Sequence, residues 1–255
     1  MKITFLGTGT SHGIPMIACD CRICTSTDPR DKRTRPSAVI EFGGKHILID
    51  AAPELRLQCV ANGIRRIDAV FFTHVHADHV TGLDDLRRFN DILRGPLPCY
   101  GTKRTLDHLQ RMFPYAWEHD PAYISAKPHL HPVEVDGVFE LFGRPVTPIR
   151  LVHGSACVLG YRIGNLAYCT DCNDIPPASQ ELLRGLDVLV LDALRIRPHP
   201  THLNLEQAID WAARIAARRT YFTHIAHEIL HEEIQARLTE GIALAYDGLT
   251  VELAD

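Results

Sequence analysis

The chain has 255 residues, 45% of them hydrophobic and 23% charged, with a formal net charge of −4. This is a globular composition with enough chain for a large layered core, and its charge offers no broad attraction to nucleic acid or an anionic membrane. No apolar run approaches the roughly 20 residues that span a bilayer, and Met1-Lys2 leads straight into a strand-like run, so a soluble, cytoplasmic protein is expected.

That first run is I-T-F-L (3–6), followed by the turn-rich G-T-G-T-S-H-G-I-P and then by I-A-C-D-C-R-I-C. Cys19, Cys21 and Cys24 fall within one short stretch and cannot all pair among themselves. In a reducing compartment, clustered thiols point to metal or redox chemistry rather than to disulfides. Three readings stand at this point: a metal site lacking its fourth ligand, a Cys21–Cys24 redox pair, or inert thiols.

Further strand-like runs are A-V-I-E-F (38–42), H-I-L-I-D (46–50) and A-V-F-F-T-H (69–74). Helical patterns follow over 83–93, stopped by Gly95-Pro96, and over 103–113, stopped by Pro114. Residues 114–132 are rich in Pro and His and read as irregular, either a loop over a site or a surface excursion. Strands are expected again at 160–163, 166–171, 187–192 and 220–224. Helices are expected over 204–219, with Asn204 as N-cap and Glu206 in the first turn, and over 227–238 before Gly241. With no linker or repeat, these elements make one α/β domain over residues 1–255, in two halves with strands inside and helices outside.

Five apolar runs end in a ligand-type residue: Asp50, His74, Asp171, Asp192 and His224. Strand ends along one sheet edge are where α/β proteins build sites. The densest case is F-F-T-H-V-H-A-D-H, which gathers His74, His76, Asp78 and His79. A strand end entering a tight turn lets such side chains converge, and imidazole with carboxylate suits borderline divalent ions.

This T-H-x-H-x-D-H segment resembles the signature of the metallo-β-lactamase superfamily of hydrolases. The resemblance implies a four-layered αββα sandwich. It also implies later ligands, matched by His153 in H-G-S, Asp171 in Y-C-T-D-C and His224 in Y-F-T-H, so that it covers nearly the whole chain. Carried over, His74, His76 and His153 hold one catalytic divalent cation. Asp78, itself counted with the catalytic residues, holds the other with His79 and His224, and Asp171 bridges the two. The cations implied are Mn2+ or Zn2+. A pair of them about 3.5–4 Å apart activates a bridging water as hydroxide and stabilises charge at a phosphoryl or carbonyl oxygen.

The N-terminal G-T-G loop with its C-x-C-x-x-C cluster further resembles the branch containing the cyclic phosphodiesterases of the carbon–phosphorus lyase pathway. That resemblance implies a structural Zn2+ held by Cys19, Cys21, Cys24 and His227. It implies a small, in some cases cyclic, phosphodiester as substrate, a homodimer, and His202 in T-H-L-N-L as proton donor, with His199 as competitor. Nucleic acid and membrane are not expected as partners. Alternatives are a tRNA 3′-end processing nuclease, whose basic RNA-binding arm has no counterpart here, and a non-hydrolytic protein that binds metal without turnover. Ser11 and His12 are placed to line the site. Arg56, Arg195 and Arg197 suit a phosphate or a plain surface equally and receive no role. Cys59, Cys99, Cys157, Cys169 and Cys172 read as bystanders.

Overall fold

The computed structural model describes residues 1–118 and 126–253. Side-chain alternation explains its layers. In β1 (Lys2–Gly7), β2 (Ser37–Phe42) and β3 (Lys45–Ile49), the odd-numbered Ile3, Phe5, Ile47 and Ile49 join one core, together with Ile40. Leu6, Val39 and Leu48 join another. Successive residues of a strand point to opposite faces, so a strand apolar at every position must be covered on both sides. The outer face of this first sheet is covered by α1 (Leu55–Ala61), α2 (Ala77–Val80), α3 (Arg87–Leu93) and α4 (Lys103–Met112), through Leu55, Val80, Phe89 and Leu109. β4 (Ala69–Phe71), β5 (Leu97–Gly101) and β6 (Leu130–Glu134) complete its parallel side.

The second half repeats the plan. β7 (Phe139–Leu141), β8 (Arg144–His153), β9 (Ala156–Ile163) and β10 (Leu166–Cys169) run antiparallel. After α5 (Pro177–Leu182), β11 (Val188–Asp192), α6 (Leu205–Ile215), β12 (Arg219–Thr223), α7 (His231–Gln235) and β13 (Ile242–Leu244) extend the sheet in parallel. Val188 and Val190 face the shared core, while Leu189 and Leu191 face Ala208, Trp211 and Ala212 of α6. β14 (Thr250–Glu252) crosses back to pair with β1. Two sheets, ordered β14-β1-β2-β3-β4-β5-β6 and β13-β12-β11-β10-β9-β8-β7, thus face each other with helices outside. This is the expected αββα sandwich. No described helix is long and apolar enough to cross a membrane.

Several boundaries differ from the sequence reading. The 83–93 pattern divides into a 3₁₀ turn at Leu83–Leu86 and α3. The 204–219 helix ends at Ile215, because Ala216 turns left-handed at φ 54°; its start is the expected one, Asn204 forming a capping box with Gln207. The 227–238 helix is reduced to Ile234 and its neighbours in α7, since His227 is drawn to the thiols instead. Within 114–132, Pro114–Ala116 form a 3₁₀ turn and β6 begins at Leu130, while 119–125 lie outside the described residues.

A buried polar knot fastens the N-terminal loop to the C-terminal segment. Arg33, 1% exposed, donates to Thr8 Oγ1 (2.7 Å), to the Ala245 carbonyl (2.5 Å) and to His231 Nδ1 (3.1 Å). Asp247 accepts from the backbone and hydroxyl of both Thr8 and Thr34 at 2.7–2.9 Å. Since Arg33 can only donate, His231 Nδ1 must be the acceptor and its ring neutral. Burial, and next the guanidinium of Arg33, push its pKa down to about 4. Such a group binds protons more readily when unfolded, so stability falls as pH drops from about 6.5 towards 4. Denaturant melts should therefore show a loss on the order of 2–3 kcal/mol across that window, and His231→Gln should flatten this part of the profile. An unchanged profile in the variant would remove His231 as its source.

Candidate metal centre

The parallel strands of both sheets end at one edge of the sandwich, and the ligand-type residues sit just beyond those ends. Asp50 follows β3, His74 to His79 follow β4 into α2, Asp171 follows β10, Asp192 ends β11 and His224 follows β12. His153 arrives from the end of β8. Asp50, Asp171 and His224 adopt left-handed backbone conformations, with φ of 58°, 55° and 60°. A non-glycine residue there costs of order 1 kcal/mol. Each uses the conformation to leave its strand sharply, which turns the side chain into the common space.

Hydrogen bonds then fix which nitrogen of each ring carries the proton. His79 Nδ1 donates to Asp50 Oδ2 (2.7 Å). Thr73 Oγ1 gives its hydrogen to Asp50 Oδ2 (2.8 Å) and accepts from His74 Nδ1 (2.9 Å). His153 Nδ1 donates to the Thr201 carbonyl (2.7 Å), and His202 Nδ1 to Asp192 Oδ2 (2.8 Å). All four rings therefore present an Nε2 lone pair, the form that ligates a metal or accepts a proton.

The Nε2 atoms of His74, His79 and His224 are buried and have no hydrogen-bond partner. They surround Asp171 at 3.7, 3.3 and 3.3 Å, and His79 and His224 each stand 3.5 Å from Asp78. These separations are too long for strong hydrogen bonds. They match atoms that each lie about 2.0–2.2 Å from a shared ion, which are roughly 3–3.5 Å apart. Two sets converge, His74, His76, His153 with Asp171, and Asp78, His79 with His224, and a third joins Asp171, His224 and His202. A second assembly brings Cys19, Cys21, Cys24 and His227 together, with His227 Nδ1 at 3.3, 3.5 and 3.7 Å from the three sulfurs. The donors present therefore fit divalent cations at both places.

The electrostatics agree. Burial alone would suppress charge on His79, but the carboxylates of Asp171, Asp50 and Asp78 outweigh it and hold its pKa well above normal. His224 is lifted to about 9 against its own burial, chiefly by Asp171 and Asp78. Conversely Asp171, which burial would raise, is held well below the carboxylate range by His224 and His79. A basic lone pair in a nest of buried carboxylates attracts positive charge, whether a proton or a cation. In the thiol assembly, donation from the Cys24 backbone N–H leads a set of contacts that bring Cys21 down to about 6, favouring its thiolate.

The residues expected as metal ligands thus each reach one of the two assemblies, while Asp50 and Asp192 stand behind the first, bonded to ring nitrogens. His199 joins neither: it lies beside His202, with ring centres 5.1 Å apart, and among the described residues its Nδ1 meets only Thr201. Ser11, His12 and Arg195 line a cavity that opens off His202, Arg197 is bound by Glu228, and Arg56 lines a different groove between α1 and α3. Sequence reasoning missed Thr73 as the link between Asp50 and His74. It noted Asp192 only as a strand end, without its imidazole partner.

Comparison with known proteins follows the same lines. Residues 45–225 match the family model described as the beta-lactamase superfamily domain. A crystal structure of a diphosphatase from the PhnP family superposes with a TM-score of 0.92 at 44% identity, covering 98% of this chain and 96% of that one. An octanoyltransferase of Porphyromonas gingivalis is 39% identical over 252 residues, 98% of this chain but 51% of that protein, so the chain spans about half the length of this relative. Zinc-bound PqqB of Methylobacterium extorquens shares the fold at 23% identity, with a TM-score of 0.79 over 99% of this chain and 100% of that one.

Because Asp50 touches two of the rings through Nδ1, directly or through Thr73, Asp50→Asn should weaken divalent-cation retention about 10–100-fold. Competition against a chelator measures this, and an unchanged affinity would show that the carboxylate does not tune the rings.

Proposed function

The chain belongs to the metallo-β-lactamase superfamily of hydrolases, in its PhnP-like branch, and on that premise we propose that it hydrolyses small phosphodiesters, cyclic ones included, with two divalent cations. His74, His76 and His153 would hold one, Asp78, His79 and His224 the other, and Asp171 both; Mn2+ or Zn2+ suits this donor set. The observation that carries the reading is the arrangement around Asp171, three partnerless Nε2 atoms at 3.3–3.7 Å from one buried carboxylate. The similarity to a diphosphatase at 44% identity supports a phosphorus-ester substrate. The chain's charge of −4 supports a small substrate over a nucleic-acid polymer.

When bound, such cations polarise a phosphoryl oxygen and activate the attacking water. The chain itself must then supply a proton to the departing alkoxide. His202 is the donor best placed for it. Its ring is 8% exposed, its Nε2 lies 4.0 Å from Asp171, and its Nδ1 is held by Asp192 at 2.8 Å. Asp192 also accepts from the Cys172 backbone N–H (3.1 Å), which leaves it fixed. A buried carboxylate on Nδ1 orients the ring, so that a proton taken up on Nε2 would point at the leaving oxygen. His199 has no such carboxylate on its Nδ1.

The thiol assembly would take a third ion, a structural Zn2+. A Cys₃His set is closed, with no position left for substrate, and it joins the N-terminal loop to the turn that carries His224.

His202→Ala tests the donor. With metal-reconstituted protein, turnover of a 2′,3′-cyclic nucleoside phosphate, which expels an alkoxide, should fall about 100-fold or more. Turnover of bis(p-nitrophenyl) phosphate, which expels a stable phenolate, should fall by less than about 10-fold. Equal losses would remove the donor role, and no turnover of either diester by the unaltered protein would remove the phosphodiesterase reading.

A further inference from the structure

A groove between α1 and α3 lies away from the metal-type donors, on the outer, helical face of the first sheet. It encloses about 680 Å³, within the roughly 300–1,000 Å³ that small-ligand sites occupy. Its floor is hydrocarbon and sulfur, made by Leu55, Cys59 and Phe89, all buried. Burial pushes the Cys59 thiol up to about 12, so it stays protonated and behaves as a small apolar group. Val60 of α1 and Ile92 of α3 also line the groove, 73% and 37% exposed. Covering such apolar surface is favourable. A floor whose side chains offer only a weak thiol as hydrogen-bond partner selects a hydrocarbon body over a base or a sugar.

The rim is charged, and its charges do not cancel. Arg88 is matched by Asp91 (3.2 Å), and Arg87 by Asp84. Arg56 and Arg65 line the groove as well, and among the described residues neither has an ion-pair partner. Asp85 is the remaining carboxylate of the lining, so two open guanidiniums stand against one acid. Lys127 adds a further cation, its Nζ donating to the Glu118 carbonyl (2.8 Å). This surplus is local, since the chain as a whole carries −4, and that overall charge disfavours an anionic bilayer as the occupant. An apolar trough rimmed by open guanidiniums complements a hydrocarbon chain that ends in a carboxylate, which a guanidinium matches in both charge and geometry.

We propose that this groove binds a free fatty carboxylate, its chain laid over Cys59 and Phe89 and its headgroup met by the open guanidinium of Arg56 or of Arg65. The site stands apart from the hydrolytic reading, because none of its lining residues belongs to the groups around Asp171 or to the thiol assembly. Each methylene covered removes a similar area from water, so affinity grows with chain length until the trough is full. The headgroup adds selectivity for a negative charge.

Calorimetry on metal-reconstituted protein tests this with straight-chain carboxylates of six to twelve carbons, kept below micelle-forming concentrations. Alcohols and trimethylammonium salts of the same lengths serve as comparisons. Kd for the carboxylates should tighten about 2–4-fold per added methylene over at least part of the series. It should lie about 5-fold or more below that of the matching alcohol. Arg56→Gln or Arg65→Gln should remove this preference and keep the dependence on chain length. Val60→Asp, at an exposed position, should weaken carboxylate binding about 10-fold or more by setting a charge beside the chain. Ile92→Asp on α3 should do the same, and serves if the first variant fails to fold. A carboxylate with a photoreactive chain should label α1 and α3. Binding unchanged in the Val60 and Ile92 variants, alcohols or ammonium salts that bind as tightly as the carboxylates, or label confined to the cavity beside His202 would each overturn the proposal. So would an absence of carboxylate binding, whether the protein instead adheres to phosphatidylglycerol vesicles or forms a dimer that Val60→Asp dissolves.

Discussion

Buried carboxylates that each fix one nitrogen of an imidazole are the constraint on which the rest of this structure depends. Asp50 takes the Nδ1 proton of His79 and, through Thr73, orders His74; Asp192 takes that of His202. Such rings cannot rotate without breaking a charge-assisted hydrogen bond in a dry interior, which costs more than it would in water. Their second nitrogens are thereby committed to one small volume around Asp171. The same commitment leaves polar atoms without partners, an expensive arrangement for a folded protein and one that a cation relieves. The left-handed turns at Asp50, Asp171 and His224 add to that cost and persist because the sandwich on either side is rigid.

The sandwich itself is held closed by contacts between the two ends of the chain. β14 pairs with β1, Asp247 gathers Thr8 and Thr34, and Arg33 reaches Ala245 and His231. The thiol assembly belongs to this closure. Its imidazole, His227, is separated from His224 by two residues, and Glu228 next to it holds Arg197 of the loop that leads to His202. A disturbance of the thiols would thus be felt at a candidate ligand and along the wall of the cavity beside His202. The N-terminal loop is functional ground for this reason, although no part of it lies among the donors around Asp171.

Much of this was legible in the sequence because its physical cause is local. Strands buried on both faces are largely apolar runs, and β2, β3, β10 and β11 read as such. Of the strands that escaped notice, three carry prolines, Pro98 in β5, Pro132 in β6 and Pro145 and Pro148 in β8, while β7, β13 and β14 are only three residues long, too short to show a pattern. β6 tolerates its proline as an edge strand. The shortening of α7 was not legible, because what ends it is the pull of three thiols about two hundred residues earlier. His74, His76, Asp78 and His79 announced themselves by density. The pairing of Asp192 with His202 did not, since the two are joined only by the course of the loop between β11 and α6.

The claim on which everything else turns is that Asp171 stands between two cations. Anomalous diffraction at the manganese edge from crystals of Mn2+-loaded protein measures it directly. The account predicts two peaks roughly 3.5–4 Å apart, one on each side of the Asp171 carboxylate, the first near His74, His76 and His153 and the second near Asp78, His79 and His224. A single peak, or a pair that leaves Asp171 outside the space between them, would contradict it.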